Sequence, residues 1–333
     1  MGRIARRGNR HKSTIELKCG IISIKVTDKT STLSRKYAIE EVIEMPEIAI
    51  ITDTVSYMPE EIAGEYRVKL IPTHIIIDGE THLENQLDLA TFYAKMPKWK
   101  QQKKLPSTSS PSPDDFVKVY RQLAKDHKSM IYIGYSRHLG MTVNSALLAK
   151  ELVKDELAQT NIEVLDTKSW GGAQMLVTIE VARAVSSGKN LSEVLRIANN
   201  MISKVKLVIL SDNLYYLAKG GRIHKASPWA DSKISNTVLL GLDSSTEGQT
   251  TPLARCRTKG EALKTLFGLV QSSGANSKLH VAINHADALI EAEQLKEKAI
   301  SQFKCAEAFI SNIGPLVTIH TGLGTRAFSW WCE

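Results

Sequence analysis

The stretch MIYIGYSRHLGMTVNSA, residues 130–146, decides how the rest of the chain is interpreted. It opens with the apolar run 130–133, typical of a buried strand, and from about Thr142 its apolar spacing becomes helical. A strand, a polar turn and a helix start favour an anion, because the first helical N–H groups lack internal partners and the helix dipole attracts negative charge. Ser136 and Thr142 can donate hydrogen bonds to the same guest. They can equally serve only as a turn residue and an N-cap.

Length and composition are those of an ordinary globular protein. The chain has 333 residues, of which 43% are hydrophobic and 23% charged, enough for two domains. Its formal charge of +8 permits anionic partners. Much of this excess precedes the first acid, Glu16, and comes from Arg3, Arg6, Arg7, Arg10 and Lys12. We therefore interpret the charge as partly a property of the tail and expect no nucleic-acid partner, since no nucleic-acid-binding motif is present.

The cysteines indicate a reducing compartment. Four cysteines lie far apart and form no CxxC pair, which favours a cytoplasmic protein. No apolar run approaches membrane-spanning length, so we expect no integral membrane contact. Metal-ligand spacing such as HExxH and a Walker A sequence are both absent. We expect no metal and no cofactor.

The order of strands and helices predicts an α/β protein with two domains. In residues 47–168 strands alternate with helices, which predicts a parallel sheet in a three-layer α/β/α domain. Residues 169–333 contain two strands around a turn and then βαβ-like units, which predicts a mixed sheet with helices on one side. Residues 1–46 form a basic N-terminal extension, with a strand expected at 21–26 and a short helix at 33–44.

Small polar residues follow the predicted strands at Asp53, at residues 136–142 and at Asp166. Ligands of parallel α/β sheets lie beyond the carboxyl ends of the strands. The loop Thr108-Ser109-Ser110 could join such a site, as could Arg222, which follows a Gly-Gly turn. His320 is expected at the end of a strand. Asp53 and Asp166 could also be simple cap or turn residues.

An enzyme remains an alternative at this stage. Gly134-Tyr-Ser136-Arg-His138 resembles a nucleophile elbow in which His138 replaces the second glycine. Ser136, Asp166 and His320 follow each other in the order of the hydrolase triad. A serine hydrolase that uses these three residues is therefore the second hypothesis.

Several segments match one family in order along the chain. ITDTVSYMP resembles a T-D-S segment, IPTHIIIDGE an I-P-L segment that ends in a glycine turn, and STSSPSPDDF the sequence T-S-Q-P-S. YSRHLGMTVNSA resembles S-S-x-L-S-G-T-x-x-S-A, and VLDTKSWGGAQ a second D-S segment. NLYYLAKGGRI resembles L-x-Y-L-x-x-G-G-R-I, and IGPLVTIHTGLGTRA resembles G-P-x-I-x-x-H-x-G-P-G-A. From about Ile48 to the C-terminus the chain resembles the DegV family.

This resemblance implies a non-catalytic, lipid-binding protein. It would hold one long-chain fatty acid, with the tail in an apolar tunnel of the C-terminal domain and the carboxylate between the domains. A separate fatty acid kinase would then convert the presented carboxylate into acyl-phosphate. Carried over by position, Thr108, Ser109, Thr142 and His320 would contact the carboxylate, and Arg222 would support the mouth or the kinase contact.

The sequence departs from the family where the head group would bind. The family's S-G-T is Gly140-Met141-Thr142 here, so the family serine, a usual head-group ligand, is absent. Leu323 replaces a proline of the last motif. Either Ser136 or a water supplies the missing contact, or this member binds a different head group or none. On this basis Gly140→Ser is predicted to tighten carboxylate binding.

Overall fold

The computed structural model describes residues 47–212, 214–222, 237–274 and 277–333, and the backbone of three strands nearer the N-terminus. These strands form an antiparallel sheet in the order β1-β2-β3, with bounds β1 (Thr14–Cys19), β2 (Ile22–Asp28) and β3 (Tyr37–Ile43). The strand expected at 21–26 is confirmed as β2. The helix expected at 33–44 is wrong where the structure describes that segment, because β3 occupies it. The basic tract at residues 3–12 lies outside the described residues.

The first half of the body alternates strands and helices. Its elements are β4 (Ile48–Asp53), α1 (Glu60–Glu65), β5 (Val68–Ile71), β6 (His74–Ile77), β7 (Glu80–Leu83), α2 (Leu89–Gln101), β8 (Ser107–Ser109), α3 (Pro113–Leu123), β9 (Ser129–Gly134), α4 (Thr142–Leu152) and β10 (Asn161–Asp166). Short 3₁₀ turns follow β4 and β7 at Thr54–Ser56 and Glu84–Gln86.

A parallel sheet in the order β10-β9-β4-β5 forms the centre of this half. Every residue of β4 and β9 is buried, as expected for inner parallel strands covered on both faces. Helices α3 and α4 cover one face, where Phe116 and Val143 pack with Ile51. The helix at residues 172–186 covers the other face. The predicted three-layer arrangement is therefore confirmed. Strands β7-β6-β8 form a separate antiparallel sheet that carries Thr108.

The second half contains a six-stranded mixed sheet. Its elements are α5 (Gly172–Ser186), α6 (Leu191–Lys204), β11 (Lys206–Ser211), α7 (Tyr215–Lys219), β12 (Thr237–Gly241), β13 (Thr251–Cys256), α8 (Lys259–Ser272), β14 (Leu279–His285), α9 (Leu289–Gln302), β15 (Cys305–Asn312), α10 (Pro315–Thr321) and β16 (Arg326–Cys332). The strand order is β13-β12-β11-β16-β14-β15, and only β14 and β15 run parallel among these pairs.

Helices cover both faces of the mixed sheet, so the prediction of helices on one side is wrong. Helices α8 and α9 pack on one face with Val208, Val281 and Phe328. Helices α5 and α6 pack on the other, with Leu207 and Ile209. Successive residues of one strand pack against opposite faces of the sheet, as the alternating side-chain directions of a strand require.

Helix α5 joins the two sheets. It contacts β4 and β9 of the parallel sheet as well as β14 and β16 of the mixed sheet. At its N-terminus the Gly172 N–H donates to Asn284 Oδ1 at 2.6 Å. Two residues further on, the Gln174 amide donates to Thr52 Oγ1 at 2.9 Å and to the Ile133 carbonyl at 3.1 Å. One buried helix, α5, therefore bonds to residues of both sheets and fixes the position of one sheet relative to the other. Among the described helices, none is long and apolar enough to cross a membrane.

Candidate functional site

The N-terminus of α4 leaves its first N–H groups without a side-chain cap. The N-cap residue is Met141, and no side chain bonds there as a cap. Thr142 is the first helical residue, and its hydroxyl donates to Tyr135 Oη at 2.9 Å instead of capping. Ser110 Oγ accepts from the Met141 N–H at 3.0 Å and lies 3.4 Å from Tyr135 Oη. The strand–turn–helix of residues 130–146 thus gathers hydroxyl groups from two segments.

His320 meets this group from the other half of the chain. Its Nε2 lies 3.0 Å from Thr108 Oγ1, across the two halves. His320 sits in the last turn of α10, so the expected strand end is wrong; Pro315 at the first helical position favours the helix over the β-branched strand pattern. We call Thr108, Ser110, Tyr135, Thr142 and His320 the hydroxyl–imidazole cluster.

The imidazole of His320 is neutral at physiological pH. Burial and, to a lesser extent, the nearby positive charge of Arg222 together lower its pKa to about 4. Its Nδ1 is buried and has no hydrogen-bond partner among the residues that the structure describes. Gly220 lies against it so closely that a Cβ at this position would come within 2.5 Å of Nδ1. A neutral ring that bonds Thr108 through Nε2 can exchange that bond for one to a ligand.

Helix α10 is held at its start by residues of the first half. The buried carboxylate of Glu84 accepts from the Leu316 N–H at 2.9 Å and from the hydroxyls of Thr54 and Thr73 at 2.6 Å each. Burial raises the pKa of Glu84 above its usual value. Tyr57 Oη accepts from the next helical N–H, that of Val317, at 3.3 Å. Glu84 and Tyr57 therefore set where α10 places His320.

A small apolar cavity adjoins the cluster. Its volume is about 40 Å³, and both halves line it, with Tyr135 and Leu139 on one side and Ile209, Leu217 and His320 on the other. This is room for a few water molecules rather than an acyl chain. The described residues thus contain an apolar cavity at the expected place, but not the expected tunnel.

Arg222 borders the same cavity. Its Nε donates to the Leu139 carbonyl at 3.4 Å, and its Nη1 donates to the Gly220 carbonyl. Arg222 thereby ties the segment after α7 to the turn before α4. It places a guanidinium beside His320.

The hydroxyls of two predicted site residues, Ser109 and Ser136, bond to backbone carbonyls and not to the cluster. Ser109 is exposed, and its hydroxyl donates to the neighbouring Ser110 carbonyl at 3.2 Å. Ser136 is fully buried; its hydroxyl donates to the Gly248 carbonyl at 2.7 Å and accepts from the His138 N–H at 3.2 Å. Ser136 therefore joins the two halves of the chain as a turn residue.

The hydrolase hypothesis is wrong in its geometry. Ser136 bonds to Gly248, Asp166 accepts from Arg137 Nε at 2.9 Å, and His320 bonds to Thr108. No two triad members bond to each other, so no base lies ready to activate the serine.

Asp53 is a buried turn residue. It accepts from the Val55 N–H at 3.0 Å and from Tyr132 Oη at 2.6 Å. Burial raises its pKa to about 6. Its neighbours account for both carboxylate oxygens, so it is a structural part of the β4 end.

Comparison with known proteins identifies the family. The model of the family described as "Uncharacterised protein, DegV family" matches residues 47–333. The chain belongs to the DegV family. A DegV domain-containing protein of Streptococcus pyogenes serotype M1 is 30% identical over 281 residues, which cover 84% of this chain and 96% of that protein.

Solved DegV structures share the fold. A fatty acid binding DegV family protein from Streptococcus agalactiae is 26% identical, with a TM-score of 0.76 and coverage of 87% of this chain and all of that one. A DegV family protein from Thermus thermophilus, described by its fatty acid binding, is 22% identical and has a TM-score of 0.78, covering 86% of this chain and all of that one. The latter shows the likeness of fold alone.

Sequence reasoning missed Tyr135 and Glu84 as site residues, whereas Ser110 belongs to the loop 108–110 that the sequence had already indicated. Tyr135 directly follows the strand in the stretch 130–146, and its hydroxyl was a signal that could have been used. Glu84 carried no such signal, because its partner helix lies more than two hundred residues away in sequence.

Proposed function

We propose that this DegV protein binds a long-chain fatty acid and presents its carboxylate to a partner kinase for acyl-phosphate formation. In this proposal the tail lies in the domain formed by residues 169–333, and the carboxylate lies between it and the domain formed by residues 47–168. The observation that carries the proposal is the pair Thr108–His320, which brings two polar groups of the two halves together beside an apolar cavity.

The chemistry of the cluster suits a carboxylate. Thr108 offers a hydroxyl donor, and the uncapped start of α4 offers backbone N–H groups and a favourable dipole. Thr142 would donate to the carboxylate only after giving up its bond to Tyr135. His320 is neutral and can donate from one ring nitrogen, while the charge of Arg222 lies beside it. A carboxylate bound here would accept several hydrogen bonds, and it would not need a direct ion pair with Arg222. Ser109 and Ser136 would contribute only if their present bonds were broken.

The acyl tail needs more volume than the cavity offers, so side chains around the cavity must move when the fatty acid binds. A long chain gains roughly 0.8 kcal/mol for each methylene removed from water. That gain grows with chain length and can offset the displacement of apolar side chains around a cavity of about 40 Å³. The proposal therefore requires side chains such as Leu217 and Leu242 to move when the acid enters.

A kinase would need to reach the carboxylate. Helix α4 begins at the cluster and leaves Met141, Leu148 and Leu152 more than half exposed. Leu148 and Leu152 are one helical turn apart, and exposed apolar side chains near a site are typical of protein contacts. This supports a kinase that docks along α4. The free thiols of Cys256, Cys305 and Cys332 suit action in a reducing cytoplasm.

Thr108→Val tests the head-group contact, since it removes the hydroxyl and keeps the side-chain shape. We expect palmitate affinity to fall about tenfold, the effect of one lost hydrogen bond to a charged group. Thr81→Val is the matched control, because Thr81 is an exposed threonine on β7, the other outer strand of the same three-stranded sheet. Equal affinities for all three proteins in a palmitate titration would contradict the proposed site.

The kinase step has a separate test. The palmitate-loaded protein is mixed with a fatty acid kinase and ATP, and acyl-phosphate is trapped with hydroxylamine. We expect hydroxamate only when both proteins and ATP are present. Hydroxamate formed without the DegV protein at the same rate would contradict presentation, and hydroxamate formed without the kinase would show that the chain is itself catalytic.

A further inference from the structure

Tyr135 lies in the cluster although no family motif assigns it a role. Its ring is buried and lines the apolar cavity, while its hydroxyl reaches the start of α4. There it accepts from Thr142 Oγ1 at 2.9 Å and lies 3.4 Å from Ser110 Oγ. One side chain thus belongs to both the apolar wall and the polar end of the site.

Gly140 makes this position of Tyr135 possible. A Cβ on residue 140 would overlap the Tyr135 hydroxyl oxygen and would come within 3.0 Å of Cζ. Any other residue at 140 would therefore displace the phenol or be displaced by it. The glycine at position 140, where the family has serine, and the tyrosine at position 135 therefore depend on each other. The expectation that Gly140→Ser tightens binding does not take this contact into account, and because of the contact we predict weaker binding instead.

The Tyr135 hydroxyl is poised to donate. A phenol has one hydrogen and two lone pairs, and Thr142 already donates to one of those lone pairs. Among the described residues, the other polar contact of this hydroxyl is the long one to Ser110, whose oxygen also accepts from the Met141 N–H. Burial raises the pKa of Tyr135, so the hydroxyl stays protonated and acts as a donor to an anion.

We propose that Tyr135 is a ligand of the fatty acid head group, with its phenolic O–H donating to the carboxylate, and that Gly140 lacks a side chain in order to admit it. This deepens the proposed function and rests on it. The phenol supplies the hydroxyl contact that a serine at position 140 would otherwise give. The head group would then lie between Tyr135 and His320, on the line from the cavity to Thr108.

Tyr135→Phe tests this directly, because it removes the hydroxyl and keeps the ring in the cavity wall. We expect palmitate affinity to fall between about tenfold and a hundredfold, as for a lost bond to a charged group. Binding of methyl palmitate, which has no charge, should change less, so the acid-to-ester preference should fall. Tyr120→Phe is the matched control; its hydroxyl bonds to Ala146 within the same half, away from the cavity.

The contact between Tyr135 and Gly140 gives a second test, in which the direction of the change in palmitate affinity depends on residue 135. Gly140→Ser in the natural chain should weaken palmitate binding at least fivefold, because serine and the phenol overlap. In a Tyr135→Ala background the same substitution should instead strengthen binding, because the space is then free. Thermal unfolding of each variant identifies any that fails to fold.

The outcomes separate the two proposals. If the natural chain binds no palmitate, the proposed function fails. If it binds palmitate and Tyr135→Phe binds acid and ester as the natural chain does, only the role of Tyr135 is overturned. If Gly140→Ser weakens binding equally in both backgrounds, the pairing of Tyr135 with Gly140 is overturned.

Discussion

Glu84 offers a sharp test of how the two halves are held together. Its carboxylate accepts from the Leu316 N–H in the first turn of α10 and from Thr54 and Thr73. Glu84→Ala leaves the Leu316 N–H buried without this acceptor, at a cost of about 1.5–3 kcal/mol for a bond to a charged group. The two threonine hydroxyls lose less, because they lie 3.2 Å apart and can bond to each other.

The net loss should be smaller than the sum of the bonds. A buried carboxylate is costly to desolvate, as its raised pKa indicates, and the substitution removes that cost. We expect Glu84→Ala to lower the free energy of unfolding by about 2 kcal/mol. Glu84→Gln keeps a neutral acceptor for the Leu316 N–H and should cost less than half as much. Because α10 carries His320, palmitate affinity should fall in the same order.

Urea unfolding, followed by tryptophan fluorescence, measures the first effect, and a palmitate titration measures the second. The reasoning is refuted if Glu84→Ala unfolds at the same urea concentration as the natural chain. It is also refuted if the glutamine variant is as unstable as the alanine variant, since the loss would then come from the charge and not from the missing acceptor.

Two further predictions concern buried polar groups away from the cluster. Burial raises the pKa of Asp53 from 3.8 to about 6, so the folded protein binds a proton that the unfolded chain has released. Between pH 4 and 6 the natural chain should lose up to about 3 kcal/mol of stability relative to Asp53→Asn as the pH rises; parallel pH profiles of the two proteins would disprove this. Asn284→Ala removes the acceptor of the Gly172 N–H at the start of α5 and should cost about 1–3 kcal/mol in urea unfolding. Ser311→Ala, which removes only the outer partner of Asn284, should cost less, and the opposite order would contradict the role of α5 as the link.

Local patterns predicted most of the fold because they report burial directly. The runs that became β4 and β9 are apolar at almost every position, which is what an inner parallel strand requires. The failures came where one pattern fits two structures. Residues 315–320 are rich in β-branched residues but start with a proline after Gly314 and form α10. The second face of the mixed sheet was missed because α5 is buried at most of its positions, including Gln174 and Thr178, and its sequence does not show that it packs on two sheets.

The candidate site was harder to predict because its geometry depends on contacts between distant segments. Thr108 and His320 are 212 residues apart in sequence yet 3.0 Å apart in space. Spacing alone could not show that Ser136 turns toward Gly248 or that Tyr135 fills the place over Gly140. The residue types indicated a helix start that can bind an anion. Which hydroxyls face that ligand depends on packing between distant segments.

Native mass spectrometry of the purified chain tests fatty acid binding most directly. We predict a species heavier than the bare chain by one long-chain fatty acid, either as purified or after addition of palmitate, and a weaker signal for Thr108→Val. A spectrum that contains only the bare chain, with and without excess palmitate, would contradict the lipid-binding account.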